Sequence, residues 1–432
     1  MKKVGLISLG CAKNRVDSEI ILAMLQGANI EITNNLDDAD VVIINTCGFI
    51  KSSQDESFEV ISSVYKTKKQ VLIVGCLVKR FEEEIKERFP NAFVVGISNY
   101  DKLHLTLEEI FHTKVASFNP MQRVYTTLPF SAYLRISEGC NNNCAFCAIP
   151  LIRGRFRSRP LSEVVKEAQE LVKSGKKEIV IISQDTTRYG SDLEGDVNLL
   201  TLLKELVKIK GIVSLRLLYL YPKDVTFELV NFIASNPLIA PYFDLPFQHA
   251  GNKVLRSMYR RDTLEYSKNL INYIRLKIPH AIIRTTFIVG FPGETEDDFK
   301  TLLDFIKEVK FNHLGVFTYS RELGTKAYDF TDQVPEDVKN RRKEIVMETQ
   351  KGISLTNNIN LIGRELKGFI TSYNTRLKMY EVRTYFSAPD NIDGTIFLRT
   401  NEKLSVGDPV LIKITKAFVY DLEGTLIKRI SS

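Results

Sequence analysis

The chain has no tryptophan, only five histidines and only six cysteines in 432 residues, and no cysteine follows Cys147. No apolar run approaches the 18 or so residues of a membrane span, so no membrane association is expected. Charge of one sign is also scarce. The net charge is +7, divided as −1 over residues 1–130, +5 over 131–356 and +3 over 357–432. No segment carries the basic excess expected where phosphate contacts dominate binding. Neither a Walker-type phosphate loop nor a Gly-x-Gly-x-x-Gly pattern is present, which leaves ATPase and dehydrogenase readings without support. Internal repeats and low-complexity tracts are absent. Met1-Lys2-Lys3 and the following Val4 to Cys11 imitate a lipoprotein signal. The apolar stretch is too short, however, and Lys13, Asn14 and Arg15 follow at once. A cytoplasmic, reducing compartment is therefore expected, where retained cysteines are metal ligands, nucleophiles or buried fillers rather than disulfides.

With 44% hydrophobic and 26% charged residues, the chain has the composition of a folded, multi-domain α/β protein. Residues 1–130 read as a doubly wound α/β domain. Val4–Leu9, Val41–Ile44 and Val71–Val74 are continuously apolar, as buried parallel strands are. Asp17–Gln26, Gln54–Lys66 and Val78–Phe89 read as the helices between them, and Pro120–Pro129 as a linker. Residues 131–356 repeat the alternation six times, with strands at Tyr133–Ile136, Glu178–Ser183, Leu215–Tyr219, Tyr242–Leu245, Ile282–Val289 and Leu314–Tyr319. Six βα units suggest an open, partial (β/α)6 barrel rather than the closed eight-unit form. Thr295 ahead of Glu296, Asp297 and Asp298 is a helix start, and a charged helix begins at Val334-Pro335-Glu336-Asp337. Residues 357–432 change to short β-rich runs with Asp393-Gly394 and Gly407-Asp408 at turns. They predict a small antiparallel five-stranded, OB-like barrel, a type that commonly binds nucleic acid or another macromolecule.

Cys140, Cys144 and Cys147 form Cys-x3-Cys-x2-Cys just after the first strand of the second domain. Three thiolates on one loop can hold three irons of a 4Fe–4S cube and leave the fourth open to a small molecule. A zinc knuckle is the competing reading, but no fourth Cys or His stands at zinc spacing. Cys11, Cys47 and Cys76 share a different logic. Each follows an apolar strand and sits beside a glycine, in Gly10-Cys11, Cys47-Gly48 and Gly75-Cys76. The carboxyl ends of parallel strands share one edge, so three strands would present three thiols to one point. Three small buried hydrophobes at strand ends is the alternative.

These motifs resemble the radical S-adenosylmethionine superfamily, through Cys-x3-Cys-x2-Cys with Phe146 before its last cysteine. The resemblance extends over essentially the whole chain to methylthiotransferases. It is carried by Gly10-Cys11, Asn45-Thr46-Cys47, Gly75-Cys76, Ile149-Pro150-Leu151-Ile152-Arg153-Gly154 and Arg157-Ser158-Arg159-Pro160, with a terminal barrel similar to a TRAM domain. Within that family, Ser8 to Asn14 with Val16-Asp17-Ser18-Glu19, Asn45 to Ile50, and Gly75-Cys76-Leu77 resemble the branch acting on an aspartate of ribosomal protein S12. The branch acting on a transfer-RNA adenosine (N6-isopentenyladenosine) usually has Gln-Met-Asn where Ala12-Lys13-Asn14 stands here. The resemblance implies two 4Fe–4S clusters, on Cys11, Cys47 and Cys76 and on Cys140, Cys144 and Cys147. It also implies S-adenosylmethionine, sulfide or another sulfur donor, and an external electron donor of the reductase or flavodoxin kind. Ribosomal protein S12 is the implied substrate. Nucleic acid is not required, although the terminal barrel could contact it. The methylthio group would be placed on the aspartate β-carbon, and both clusters would have to face one space. An iron–sulfur electron carrier or an RNA-binding module with a structural metal are the readings from other classes.

Positioning groups for S-adenosylmethionine are sought at strand ends: Gln184 within Ser183-Gln184-Asp185-Thr186, Gln248 beside His249, Arg284 on the fifth barrel strand, and Gly290 in Val289–Glu294. Each also reads as turn or barrel-filling structure. Arg153, Arg155, Arg157 and Arg159 alternate, so an extended segment would place them on one face to meet a carboxylate or phosphate.

Overall fold

The computed structural model describes residues 2–430, with the Asn391 side chain set aside. The first domain is a five-stranded parallel sheet of β1 (Lys3–Ser8), β2 (Glu31–Ile32), β3 (Val41–Thr46), β4 (Gln70–Gly75) and β5 (Phe93–Gly96). Its order is β2-β1-β3-β4-β5. Helices α1 (Ala12–Leu25), α2 (Lys51–Tyr65), α3 (Cys76–Arg88) and α4 (Leu103–Phe111) cover its two faces. The central strands are apolar throughout because both faces are buried: Val41 and Ile43 pack on one side, Val42 and Ile44 on the other.

The second domain carries β6 (Ser131–Arg135), a small antiparallel pair of β7 (Ser137–Glu138) and β8 (Arg157–Ser158), then β9 (Glu178–Ile182), β10 (Ser214–Leu217), β11 (Tyr242–Asp244), β12 (Ile282–Val289) and β13 (His313–Thr318). The intervening helices are α5 (Ile149–Arg153), α6 (Leu161–Lys173), α7 (Leu199–Leu206), α8 (Phe227–Ser235), α9 (Asn252–Ser257), α10 (Leu264–Lys277), α11 (Glu296–Val309) and α12 (Glu336–Ile359). All six expected barrel strands are present and parallel to their neighbours. They form two three-stranded sheets, β10-β9-β6 and β11-β12-β13, joined by the bridge Leu215–Ile239 and by the Leu220 amide, which donates to the Asp244 carbonyl at 2.9 Å. At the join, the Tyr219 amide donates to the Asp244 carboxylate instead of to a strand carbonyl. Thr295 caps α11 in a reciprocal box with Asp298.

Alternate strand residues divide between two cores. Leu134, Ile179, Ile181, Leu215, Leu217, Phe243 and Ile283 meet the outer helices. Tyr133, Val180, Ile182, Leu218, Tyr242 and Ile282 turn to the concave face and pack against Val16 and Ile20 of α1 and against the terminal barrel. That barrel closes β14 (Glu365–Asn374), β15 (Met379–Thr384), β16 (Ile396–Arg399), β17 (Pro409–Ala417) and β18 (Leu422–Arg429) in the order β14-β15-β16-β18-β17. One seam departs from the antiparallel expectation: β16 and β18 are parallel. Five strands closed in a ring cannot alternate direction at every contact, so one parallel pair is unavoidable.

The segment after β15 fills the concave face near the strand starts. Glu178 is held by Arg383 and Arg216, and Arg216 donates to the Thr384 and Tyr385 carbonyls at 2.9 and 3.1 Å. Tyr242 donates its hydroxyl to Asp393, and the His313 ring meets the Phe386 carbonyl at 2.7 Å. The opposite, carboxyl-terminal edge of the strands is thereby left to the cysteines.

Three buried ionic ties seat the first domain on that edge. Arg80 pairs with Glu322 at 2.6 Å, and the Glu322 carboxylate also accepts from the Lys51 amide at the start of α2. Asp17 accepts from Arg135 at 2.5 Å and Arg153 at 2.9 Å. Arg123 spans Glu19 at 2.5 Å and Glu167 at 2.8 Å. Arg123 lies in the Pro120–Pro129 stretch, so the expected linker is a strap pinned across two domains by one buried side chain.

Candidate metal centres at the domain seam

Cys11 is the N-cap residue of α1, Cys47 follows β3, and Cys76 opens α3 directly after β4. The helix begins at Ala12, five residues before the expected Asp17, because no Ser, Thr or Asp marks its start. Close backbone approach gathers the three loops. A Cβ on Gly10 would sit 3.0 Å from the Cys47 sulfur, and one on Gly48 would sit 2.9 Å from the Cys76 carbonyl carbon. Gly75, at φ +105°, turns β4 straight into α3, a geometry that L side chains rarely adopt. Asn14 fastens the group. It donates to the Leu9 and Thr46 carbonyls, both at 2.9 Å, and its Oδ1 accepts from the Cys76 thiol at 3.3 Å and from Arg153 at 2.6 Å.

The three thiols differ electrostatically. Burial pushes Cys76 up to about 12 and raises Cys47. At Cys11 burial also acts upward, but the charges of Lys13 and Arg153 and the amides of Asn14 and Lys13 outweigh it and lower the thiol. Cys11 is also the exposed member of the set.

The second triplet lies on the loop between β7 and α5. Its asparagines are all engaged: Asn141 Oδ1 accepts from the Phe156 amide, Asn142 donates to Asp185 at 2.6 Å, and Asn143 donates to the Asn141 carbonyl. Burial raises Cys140 to about 11 and also raises Cys144 and Cys147, while Arg260 draws Cys144 back down. Raised thiols need a metal in place of the proton before they ionise at neutral pH. Among the described residues, no three His, Cys, Asp or Glu side chains close on one point as ligands of a single ion would. Two groups of three thiols with cationic neighbours are a donor set whose chemistry suits iron–sulfur cubes.

One member of the first triplet meets the helix that follows the second. Cys76 packs in one apolar cluster with Ala148 and Ile152, and Ala148 is the neighbour of Cys147. Arg153, at the end of α5, reaches the Cys76 sulfur at 3.4 Å. Arg153 and Arg135 share Asp17 and Glu138, so two cations meet two carboxylates there.

The other expected residues distribute unevenly. Gln184 stands beside the second triplet's loop and donates to Glu138 at 2.7 Å, and its buried Oε1 has no partner among the described residues. Ser183, Asp185 and Thr186 are spent on Ser137, Asn142 and the Leu218 carbonyl. Gln248 is half-buried at φ +72°, with its backbone paired to β12. His249 is buried: its Nδ1 accepts from the Gly251 amide, while its Nε2, 3.8 Å from Glu294, has no hydrogen-bond partner among the described residues. The space beside Gly290, at φ +71°, is filled by the Lys339 stem. Arg284 does not join the cysteines. It lies near the start of β12, tied to Asp244 at 2.9 Å and to Asp393 at 3.1 Å, and helps seat the terminal barrel. The alternating arginines also fail to share a face. Gly154, at φ +75°, breaks the run, burying Arg153 in the seam while Arg155 and Arg157 stay exposed and Arg159 pairs with Glu167. Sequence reasoning missed Asp17 and Glu19 as buried ties. Acidic residues on an otherwise apolar helix were the available signal.

Residues 3–96 match the uncharacterized protein family UPF0004, residues 134–306 the radical SAM superfamily, and residues 362–427 the TRAM domain. Among curated proteins, the chain is 44% identical over 426 residues to the ribosomal protein uS12 methylthiotransferase RimO of Aquifex aeolicus, covering 98% of this chain and 96% of that one. It is 43% identical to the protein of the same name from Thermoanaerobacter sp., covering 98% and 100%. Among solved structures, it resembles the radical S-adenosylmethionine methyltransferase TsrM of Kitasatospora setae, with cobalamin and a [4Fe-4S] cluster bound. The TM-score is 0.55 at 15% identity, covering 74% of this chain and 75% of that one. At that identity the likeness concerns the fold. No helix of the described residues is long and apolar enough to cross a membrane.

Proposed function

The chain belongs to the ribosomal protein uS12 methylthiotransferase family, and on that premise we propose how its six cysteines serve the reaction. It is a radical S-adenosylmethionine enzyme that uses this cofactor and iron–sulfur chemistry. Cys11, Cys47 and Cys76 would hold one 4Fe–4S cluster and Cys140, Cys144 and Cys147 a second, each leaving one iron without a protein ligand. The substrate is ribosomal protein S12, and the acceptor atom is the β-carbon of one of its aspartates. When bound, the clusters with S-adenosylmethionine supply a carbon-centred radical on one side of the seam and methylated sulfur on the other.

The protein's own part is placement. Asn14 and Arg153 brace the Cys76 loop, Arg260 braces Cys144, and the ionic ties of Asp17, Glu19 and Glu322 hold the two loops at a fixed separation. Gln184, whose buried Oε1 has no partner among the described residues, and Gln248 would contact the cofactor. The terminal barrel occupies the floor of the partial barrel and presents its outer face to S12. Sulfide or another sulfur donor and a flavodoxin-like reductase complete the system. The observation that carries this reading is the common seam: Cys76 packs on the residue beside Cys147.

The test is anaerobic reconstitution with iron and sulfide, followed by S-adenosylmethionine, reductant and either S12 or transfer RNA. A methylthio mass gain on S12 alone is expected, and a gain on transfer RNA alone would overturn the assignment. Replacing Cys140, Cys144 and Cys147 by Ala should abolish 5′-deoxyadenosine formation. Continued cleavage in that variant would refute the division of labour.

A further inference from the structure

Lys13 is buried, with 7% of its surface exposed, and among the described residues its ammonium has no carboxylate partner; what it meets is the Tyr219 side chain and the thiol of Cys11. Its Nζ lies over the Tyr219 ring, 3.3 Å from the centroid. No nearby carboxylate is in ion-pair contact with it. Asp17 and Glu138 are tied to Arg135 and Arg153, and Asp244, which touches the Tyr219 backbone, is tied to Arg284, an arginine it shares with Asp393. A buried ammonium without a carboxylate in contact is costly and is tolerated where a ligand supplies that partner. Tyr219 adds a second sign. It holds φ +61°, strained for a bulky residue, and is pinned there by Asp244 at its amide and by Thr186 at its carbonyl.

We propose that Lys13, backed by the Tyr219 ring, is the subsite for the side-chain carboxylate of the substrate aspartate. The proposal rests on the function given above. Lys13 is two residues from Cys11 and its charge bears on that thiol, whereas Arg260, Asp262, Asp185 and Arg188 surround the second triplet. The new carbon–sulfur bond forms at the sulfur held by the first triplet. The carboxyl group is one bond from the β-carbon, so it must come to rest beside that triplet, where the unmatched ammonium waits. Lys13 is therefore a specificity residue: it fixes which face of the β-carbon meets sulfur and discriminates against a neutral side chain.

The experiment uses the reconstituted holoenzyme and peptides carrying the S12 acceptor segment, with the target residue as Asp or as Asn. Dissociation constants are measured anaerobically without reductant, and turnover is measured separately. Wild type should bind the Asp peptide about a hundredfold more tightly than the Asn peptide. Lys13→Met should reduce that ratio to within about threefold, and Lys13→Arg should keep most of it. The thermal midpoint of Lys13→Met should equal or exceed that of wild type, since an unpaired buried charge is removed. A preserved Asp/Asn ratio in Lys13→Met, no preference in wild type, or equal weakening of both peptides would overturn the proposal. Equal weakening accompanied by an altered cluster signal would assign Lys13 to the cluster instead. Absence of S12 modification by wild type would count against the function itself and is read in the separate turnover arm.

Discussion

Arg123→Met would break the strap between the first domain and the barrel. In the native protein Arg123 is 1% exposed at its side chain and lies between Glu19, at 0%, and Glu167, at 5%. Glu167 would keep Arg159, but Glu19 would keep only the Thr126 amide at 2.8 Å and hydroxyl at 3.0 Å. Removing one partner of a buried ion pair costs about 3–5 kcal/mol, because the remaining charge stays desolvated. Lys176, whose charge also bears on Glu19, should keep the loss near the lower end. In hydrogen exchange, 3–5 kcal/mol corresponds to roughly two to four orders of magnitude faster opening of α1. The loss should depend on pH with a definite sign. An unpaired buried carboxyl has its folded pKa raised above the unfolded value of about 4.3. The penalty is therefore full above the raised pKa and fades as pH falls through it, by at most about 1.4 kcal/mol per pH unit. The ratio of variant to wild-type exchange should be larger at pH 8 than at pH 5. Adding Glu19→Gln to Arg123→Met should recover at least half of the loss. A ratio below about threefold at both pH values, or one that ignores pH, would refute the reasoning. Because Cys11 caps α1, iron content in the first triplet is a sensitive secondary readout.

Two further outcomes concern the floor and the first triplet. Burial alone would raise the Glu178 carboxyl, but Arg383 and Arg216 hold it below the ordinary carboxylate range. Its stabilisation is therefore present above about pH 4.3 and is lost as pH falls through the depressed folded value. Glu178→Gln should lower the thermal midpoint at pH 7 and flatten its decline on acidification; an unchanged acid limb would contradict the assignment. Gly75→Ala places a methyl group against Asn45 and the Thr46 backbone at a positive φ. It should cost about 1–3 kcal/mol and reduce iron bound by the Cys11, Cys47 and Cys76 set, with the second set still loaded. Full loading of both sets in that variant would show that the turn tolerates a side chain.

Much of the architecture could be read from the residues because the parallel strands announce themselves. Ile179 and Val180 face different cores, so no polar residue interrupts the run. The gathering of Cys11, Cys47 and Cys76 at one edge was legible for a related reason, since the carboxyl ends of parallel strands share that edge. What failed were inferences about partners. Arg284 stands on a strand that does reach the site, but periodicity does not reveal that Asp393, 109 residues later, would claim it. The alternating arginines looked extended until Gly154 turned the chain. Short elements such as β2 and β5 carry too few residues to show a period. The early start of α1 was hidden because its N-cap is a cysteine, which makes no side-chain cap, rather than Ser, Thr or Asp.

The packing of the terminal barrel bears on how truncation experiments are interpreted. Its Arg383–Asp393 segment stoppers the partial barrel, meeting Glu178, Arg216, Tyr242, Arg284 and His313. Deleting it would uncork the vessel from below, uncovering those charges and admitting bulk water beneath the reaction space. Lost activity after such a deletion would then report a leak as readily as a missing grip on S12. A cleaner dissection keeps the stopper and alters only the outward face of the barrel, for example at Tyr373 and Arg399, which are exposed and remote from it.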